Sequence, residues 1–284
     1  MPHLTDAQLA AYRDDGFLFP VPVMEAEEAA ALRAEFEDWE DRWLEEDLPL
    51  PLNTYKRINA HVVSPLAARL ARDPRILDAV EGVLGPDILA YSVEFFIKEA
   101  GSPAIVSMHQ DLTYWGLGAT QGLVTVWLAL SPATRASGAM EFVRGSHRNA
   151  ILPHEDTENP DNLLSRGQEI RVEVAEADRT PAELRPGDIS LHHGLMIHGS
   201  GPNVSDDRRI ACAIRYMRPD VRQQVASADY AMLVRGADRA GNFIHVAPPD
   251  EDFSPAALAL HAEIRKVQAE AMMAGTRNAK GLYA

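Results

Sequence analysis

The chain has 284 residues, 46% hydrophobic and 24% charged, which is enough apolar mass for a sizeable core. Its 42 acidic and 27 basic residues leave a net charge of −15 with no basic stripe, which argues against nucleic acid or an anionic membrane as a partner. The single cysteine, Cys212 in the apolar run IACAI, excludes an internal disulfide framework and a cysteine-built zinc site, and reads as a small buried thiol.

The first residues, MPHLTDAQLAAYRDDGF, are too charged for a signal peptide, and no apolar run approaches the roughly 20 residues that span a bilayer. The expected location is therefore a reducing cytoplasm. Thr5-Asp6-Ala7-Gln8 forms a capping box, and the helix it opens should stop near Gly16. A second helix is expected over 25–46, with Ala29, Leu32, Phe36, Trp39 and Trp43 at helical spacing and the acidic residues on a solvated face. A third, over 65–83, should end at the turn Gly85-Pro86. From Ile88 the period changes: ILAYSVEFFIK, GLVTVWLAL, EIRVEVAEA, DISLHH and IACAIRYM are short, β-rich and separated by turn residues. Such strands behind a helical front predict an antiparallel sandwich or barrel with helices packed on one outer face. The polar stretch 153–168 is long for a connection and reads as a lid or binding segment, and a final helix is expected over 254–273.

Two stretches carry the chemistry. SMHQDLTYW (107–115) places His109 and Asp111 two apart, on one face if the stretch is a strand. LHHGLMIHGSGPNVSDDRR (191–209) adds His192, His193 and His198, a glycine-rich turn and a basic pair opening the next strand. Two imidazoles and one carboxylate make the facial triad of non-haem Fe(II) oxygenases, with coordination positions left open, whereas a structural zinc site is closed by four protein ligands. The His-x-Asp pair alone is weak evidence, and a polar patch on a sheet is the more ordinary reading of it.

HQD, followed downstream by HGSGPN and an arginine eleven residues beyond that histidine, resembles the phytanoyl-CoA dioxygenase family of Fe(II)/2-oxoglutarate oxygenases. YRDDGF, GAMEFVRGSH (138–147) and RPGDISLHHG (185–194) fall in the family's order, and the likeness runs from about residue 4 to 219. It implies a mainly β fold with flanking helices, a double-stranded β-helix (jelly-roll, cupin-like) core behind a helical N-terminal region. One domain is expected over 1–284: a helical front (1–87), the β-helix core (88–220) and a C-terminal loop and helix (221–284). By the same resemblance His109, Asp111 and His198 match the iron ligands and are the catalytic set. Arg209 matches the arginine that pairs with the distal carboxylate of 2-oxoglutarate, a task suited to its planar fork. Ser200 and Trp127 match positions lining the cosubstrate site, and Arg57, or the adjacent Lys56, falls near a basic cosubstrate contact. The implied cofactors are Fe(II), 2-oxoglutarate and O2, with a small-molecule substrate. Family members that halogenate have alanine or glycine at the carboxylate position; Asp111 fills it here, so hydroxylation is expected.

Strand alternation puts Trp127 on one face with Thr125 and Ala129, and Arg209 with Ala211, Ala213 and Arg215, turning Cys212 and Ile214 into packing. Tyr114, Trp115, Arg215 and Glu94 are the substrate-pocket candidates. Arg215 either pairs with Glu94 or another acid, or anchors an anionic substrate group, and an unpaired Arg57 or Arg215 would favour a small anionic metabolite. Glu94 and Lys98 share one face of their strand and either could reach substrate, the alternative for Lys98 being solvation, since it lies near the Gly101-Ser102-Pro103 turn. His193 is expected to hydrogen-bond inside the barrel or support the iron shell. His147 reads as structural, and His154 and His245 as ordinary polar residues. Three rival readings use the same residues: oxidation without hydroxylation (desaturation, cyclisation, demethylation), a metal-dependent hydrolase, and a non-catalytic binding module.

Overall fold

The computed structural model describes residues 4–272 apart from 114, 157, 158, 160, 165–167, 172 and 173. In chain order the elements are α1 (Asp6–Asp15), β1 (Phe17–Pro22), α2 (Ala26–Leu44), α3 (Leu52–Arg57), α4 (Pro65–Ala71), α5 (Pro74–Leu84), β2 (Ile88–Lys98) and β3 (Val106–His109). They continue with β4 (Leu123–Ala129), β5 (Met140–Val143), β6 (His154–Asp156), β7 (Gln168–Ile170), β8 (Arg179–Pro181) and β9 (Asp188–His193). The last are β10 (His198–Ser200), β11 (Arg209–Met217), β12 (Tyr230–Arg235), β13 (Ile244–His245) and α6 (Pro255–Met272).

The capping box is formed: the Gln8 amide N–H donates to Thr5 Oγ1 (3.3 Å), and Thr5 N–H donates to the Gln8 side chain (2.9 Å). Gly16 ends α1 in the left-handed region at φ 83°. The single helix expected over 65–83 is two. Pro74 cannot donate into a continuing helix and drives Asp73 out of the helical region, so α4 stops. Asp73 then caps α5 by accepting from the Arg75 N–H (2.9 Å). The strand expected over EIRVEVAEA shrinks to β7 and a 3-10 turn at Glu176–Asp178, with 172 and 173 outside the described residues.

Seven strands form the major sheet in the order β1-β9-β4-β11-β2-β12-β13, antiparallel except for the β12–β13 pair. Four form the minor sheet, β3-β10-β5-β8, and β6-β7 is a small separate ribbon. This is a double-stranded β-helix of two main sheets with flanking helices. The helices cover the outer face of the major sheet. There Phe36 and Trp39 of α2 meet Phe95 of β2 (ring centroids 4.3 and 6.5 Å apart), and Ile76 and Val80 of α5 join Val126, Ile210, Cys212 and Ile214. A second apolar cluster lies between the sheets, where Phe17 stacks on Phe142 at 5.0 Å beside Trp127, Met196, Ala211 and Ala213. Because strand residues alternate, β11 sends Ile210, Cys212 and Ile214 to the helices and Arg209, Ala213 and Arg215 into a cavity between the sheets.

Candidate active site

The cavity is built where the minor sheet ends. His109 is the last residue of β3 and pairs in register with His198, the first of β10, so the two imidazoles stand side by side with ring centroids 4.2 Å apart. Asp111 is not on the strand. It opens a 3-10 turn (Asp111–Thr113), so strand alternation is not what brings it beside His109. The intervening Gln110 makes the turn: wholly buried, it donates to the Leu195 carbonyl (2.8 Å) and the Ala150 carbonyl (3.3 Å) and accepts from the Leu152 N–H (2.8 Å). The HGSGPN turn is fixed by Asn203, whose amide donates to the carbonyls of Lys98 (3.1 Å), Glu99 (3.0 Å) and Asp207 (2.8 Å).

His109, Asp111 and His198 are all buried, and one ligand atom from each lies within 4.8 Å of the others. The Nε2 atoms of His109 and His198 are 3.4 and 3.9 Å from Asp111 Oδ1. Each ring turns its Nδ1 onto a backbone carbonyl two residues earlier, His109 to Ser107 and His198 to Met196, both at 2.9 Å. That bond places the proton on Nδ1 and leaves the Nε2 lone pair facing the carboxylate, which is the tautomer a metal ligand needs. Burial and the neighbouring His109 hold His198 well below the usual histidine range, so it stays neutral. Burial alone would raise the Asp111 carboxyl, but Arg215 and the flanking His109 and His192 hold it well below the usual carboxylate range. The Thr125 hydroxyl donates to Asp111 Oδ2 at 3.1 Å. Two imidazoles with their Nδ1 protons on backbone carbonyls and one ionised carboxylate, converging in a buried pocket, are a donor set that fits Fe(II).

Beyond the triad the cavity wall is cationic. Arg209, 1% exposed, donates through Nη1 to the Gly138 carbonyl (2.7 Å), lies over Trp127 (5.2 Å to the ring centroid) and has a buried Nε with no hydrogen-bond partner. Burial and Arg57 lower it to about 9. Ser200 and Trp127 line the same wall. Arg57 also lines the cavity, donates to the Leu163 carbonyl (3.1 Å) and sits 4.0 Å over the Phe96 ring, whereas Lys56 turns away to pair with Glu40. Of the two basic residues at that register, Arg57 is the one at the site. An orphaned guanidinium N–H beside a hydroxyl and a second arginine fits the carboxylate of a cosubstrate.

Arg215 is paired. Its Nη1 lies 2.8 Å from Glu94 Oε1 and its Nε 3.8 Å from Asp111 Oδ2, with the guanidinium between Trp115 (5.3 Å) and Phe96 (5.7 Å). The premise of an unpaired arginine, which pointed to an anionic metabolite, is therefore not met by Arg215 or Arg57. Trp115 lines the cavity as expected for a substrate wall; Tyr114 lies outside the described residues. Leu164 lines the wall from the long connection that reads as a lid or binding segment, and Met272, at the end of α6, closes it from a segment with no sequence signal pointing here.

Two expectations need correction. Lys98 is 1% exposed rather than solvated, and its ammonium donates to Ser200 Oγ at 2.7 Å; burial and Arg209 lower it to about 6 against the pull of Glu141. His193 does not support the iron shell: it bonds Gln121 Oε1 (2.9 Å) and accepts from the Leu195 N–H (3.0 Å) on the far side of β9. His192 takes that place, 3.8 Å from Asp111 Oδ2 and 4.7 Å ring to ring from His198. Alternation around the core residue Leu191 was the signal for it. His154 contacts the ligand turn, accepting from the Gln110 N–H (3.2 Å), while His147 bonds the Arg13 carbonyl (3.1 Å) and exposed His245 pairs with Asp238.

This fold and triad define a double-stranded β-helix with a site built to hold a non-haem metal. The profile of the family "Phytanoyl-CoA dioxygenase (PhyH)" matches residues 12–211. The chain belongs to this family of Fe(II)- and 2-oxoglutarate-dependent oxygenases. Among solved structures it is similar to the apo form of ThoJ, described as a non-heme monooxygenase: 35% identical, TM-score 0.83, covering 93% of this chain and 97% of that one. It is 27% identical to a probable phytanoyl-CoA dioxygenase of Caenorhabditis elegans over 57% of this chain and 54% of that protein. It is also 27% identical to the L-proline trans-4-hydroxylase of Streptomyces griseoviridis, over 56% and 65%. The chain spans about half the length of the phytanoyl-CoA dioxygenases it matches.

Proposed function

We propose that this protein is an Fe(II)- and 2-oxoglutarate-dependent dioxygenase that hydroxylates an unactivated C–H bond of a small metabolite. The observation that carries the reading is the convergence of His109, Asp111 and His198, both histidines held as Nδ1–H tautomers, beside a buried arginine with an unsatisfied N–H. Bound there, Fe(II) with 2-oxoglutarate and O2 supplies oxidative decarboxylation to succinate and CO2, coupled to oxidation of a C–H bond.

The chain's own part is placement and exclusion. The Ser107 and Met196 carbonyls fix the two imidazoles, and Thr125 and Arg215 hold the Asp111 carboxylate ionised and oriented. Arg209, with Ser200, Trp127 and Arg57 around it, takes the distal carboxylate of the cosubstrate. The Glu94–Arg215 pair with Phe96, Trp115, Leu164 and Met272 forms the remaining wall, where the substrate's C–H bond is held and water is displaced. That wall is a neutralised ion pair set among apolar side chains, and it supports a small substrate of mixed polarity. A filled carboxylate position supports hydroxylation over halogenation, and the trans-4-hydroxylation in the proline hydroxylase's name supports the same outcome.

The test is succinate formation from 2-oxoglutarate in a metabolite screen, with 18O2 labelling of the product. Substrate-dependent succinate with one labelled oxygen in the product, abolished in Asp111→Ala, is expected. A product oxidised without label incorporation would move the reading to desaturation or cyclisation, and turnover independent of 2-oxoglutarate would overturn it.

A further inference from the structure

Lys98 and Arg209 are register partners on β2 and β11, and each is 1% exposed. Among the described residues neither forms an ion pair with a carboxylate, although the nearby Lys56 and Arg215 both do. The acid that bears on Lys98, Glu141, is engaged by Arg179 at 3.5 Å. Two adjacent cations buried without a counter-charge are costly unless an anion joins them.

The way Lys98 spends its protons says how it acts. Its ammonium donates to Ser200 Oγ (2.7 Å), to the Ser200 carbonyl (3.4 Å) and to the Gly201 carbonyl. Burial and Arg209 make that group easy to deprotonate on its own, but an anionic cosubstrate bound beside it favours the ammonium; an ammonium only donates, so Ser200 Oγ then accepts from it and must give its own proton elsewhere. Among the described residues no protein acceptor takes that proton, and Ser200 lines the cavity beside Arg209. We propose that Lys98 is a positioning residue. It holds the Ser200 hydroxyl as a donor toward the distal carboxylate of 2-oxoglutarate, next to the Arg209 fork, so that the site selects dicarboxylic over monocarboxylic 2-oxo acids. The proposal rests on the oxygenase reading above, and it assigns to a residue that never touches the cosubstrate part of the discrimination between acids.

The experiment is calorimetric titration, under argon, of the Fe(II)-loaded protein with 2-oxoglutarate and with 2-oxopentanoate, which keeps the carbon chain and lacks the distal carboxylate. The wild type should prefer 2-oxoglutarate. Lys98→Met should lose about thirtyfold in affinity for 2-oxoglutarate, the scale of one charge-assisted hydrogen bond, while 2-oxopentanoate binding changes by less than about twofold. Ser200→Ala should show the same selective loss, and the double variant no more than the worse single. Equal weakening of both acids in Lys98→Met, as a merely structural lysine predicts, overturns the proposal. So does undiminished selectivity in Ser200→Ala, which decides the matter even if Lys98→Met fails to fold. A wild type that binds neither acid instead removes the oxygenase reading on which the proposal stands.

Discussion

Around Asp111 the charges are arranged as a chain: Glu94 neutralises Arg215, Arg215 steadies Asp111, and Asp111 stands between His109, His192 and His198. Breaking a buried pair leaves the surviving charge without water or partner, whereas removing both members loses far less. Arg215→Met should therefore destabilise the protein by about 3 kcal/mol, and Glu94→Gln/Arg215→Met should recover most of that loss, as measured by a urea-denaturation double-mutant cycle. Additive single effects would show that the pair is not coupled. The ligands, Arg209 and the face it shares with Arg215 were legible in the sequence because each lies in a local motif or on one alternating strand. Lys98 was not: its burial depends on pairing with Arg209, more than a hundred residues away in the chain, and strand register over that distance leaves no local trace.

At the scale of elements, the triad depends on how closely β10 lies against β3. Gly199 sits between His198 and Ser200, and a Cβ there would fall 2.6 Å from the Val106 carbonyl oxygen and 3.2 Å from the Met108 amide nitrogen. Backbone cannot yield as a flexible side chain does, so Gly199→Ala should push β3 aside and carry His109 with it. Metal affinity should fall by about tenfold or more, the range seen when ligand orientation is disturbed, with little change in far-UV circular dichroism. Unchanged affinity in a chelator competition would contradict this. The helix boundaries show why local signals read well and continuity does not. Thr5, Gln8 and Gly16 mark α1 by their own side chains or lack of them, but the apolar periodicity across 65–83 hid the break that Pro74 imposes. The ligand turn is a similar case: the spacing of His109 and Asp111 offered them as a pair and the family resemblance made them ligands, yet Gln110 and a 3-10 turn, not a pleat, bring them together.

On the scale of the whole molecule, the helical layer and the outer side of β9 both bury histidines as neutral groups. Burial and His261 lower His61 from 6.5 to about 3, and burial with His147 and His192 lowers His193 to about 4. The unfolded chain protonates these residues near pH 6.5, while the folded protein does not. Their contribution to stability is thus complete above about pH 6.5 and is lost on acidification, with a slope of roughly 1.4 kcal/mol per pH unit for each group. The metal-free protein should denature at lower urea at pH 5 than at pH 7, and His61→Leu should flatten that slope whatever it does to absolute stability; an unaltered slope would count against the assignment. What the sequence could not give at this scale was which strands neighbour which: β1 and β12, from opposite ends of the chain, both enter the major sheet. The central claim, a His109-Asp111-His198 iron site beside an arginine-lined cosubstrate pocket, is tested most directly by anaerobic titration of the apo-protein with Fe(II) and 2-oxoglutarate. We predict a weak visible metal-to-ligand charge-transfer band that appears only with both present and is absent from the Asp111→Ala/His198→Ala variant. Folded, metal-loaded protein that gives no band, or a band that survives loss of both ligands, would contradict the account.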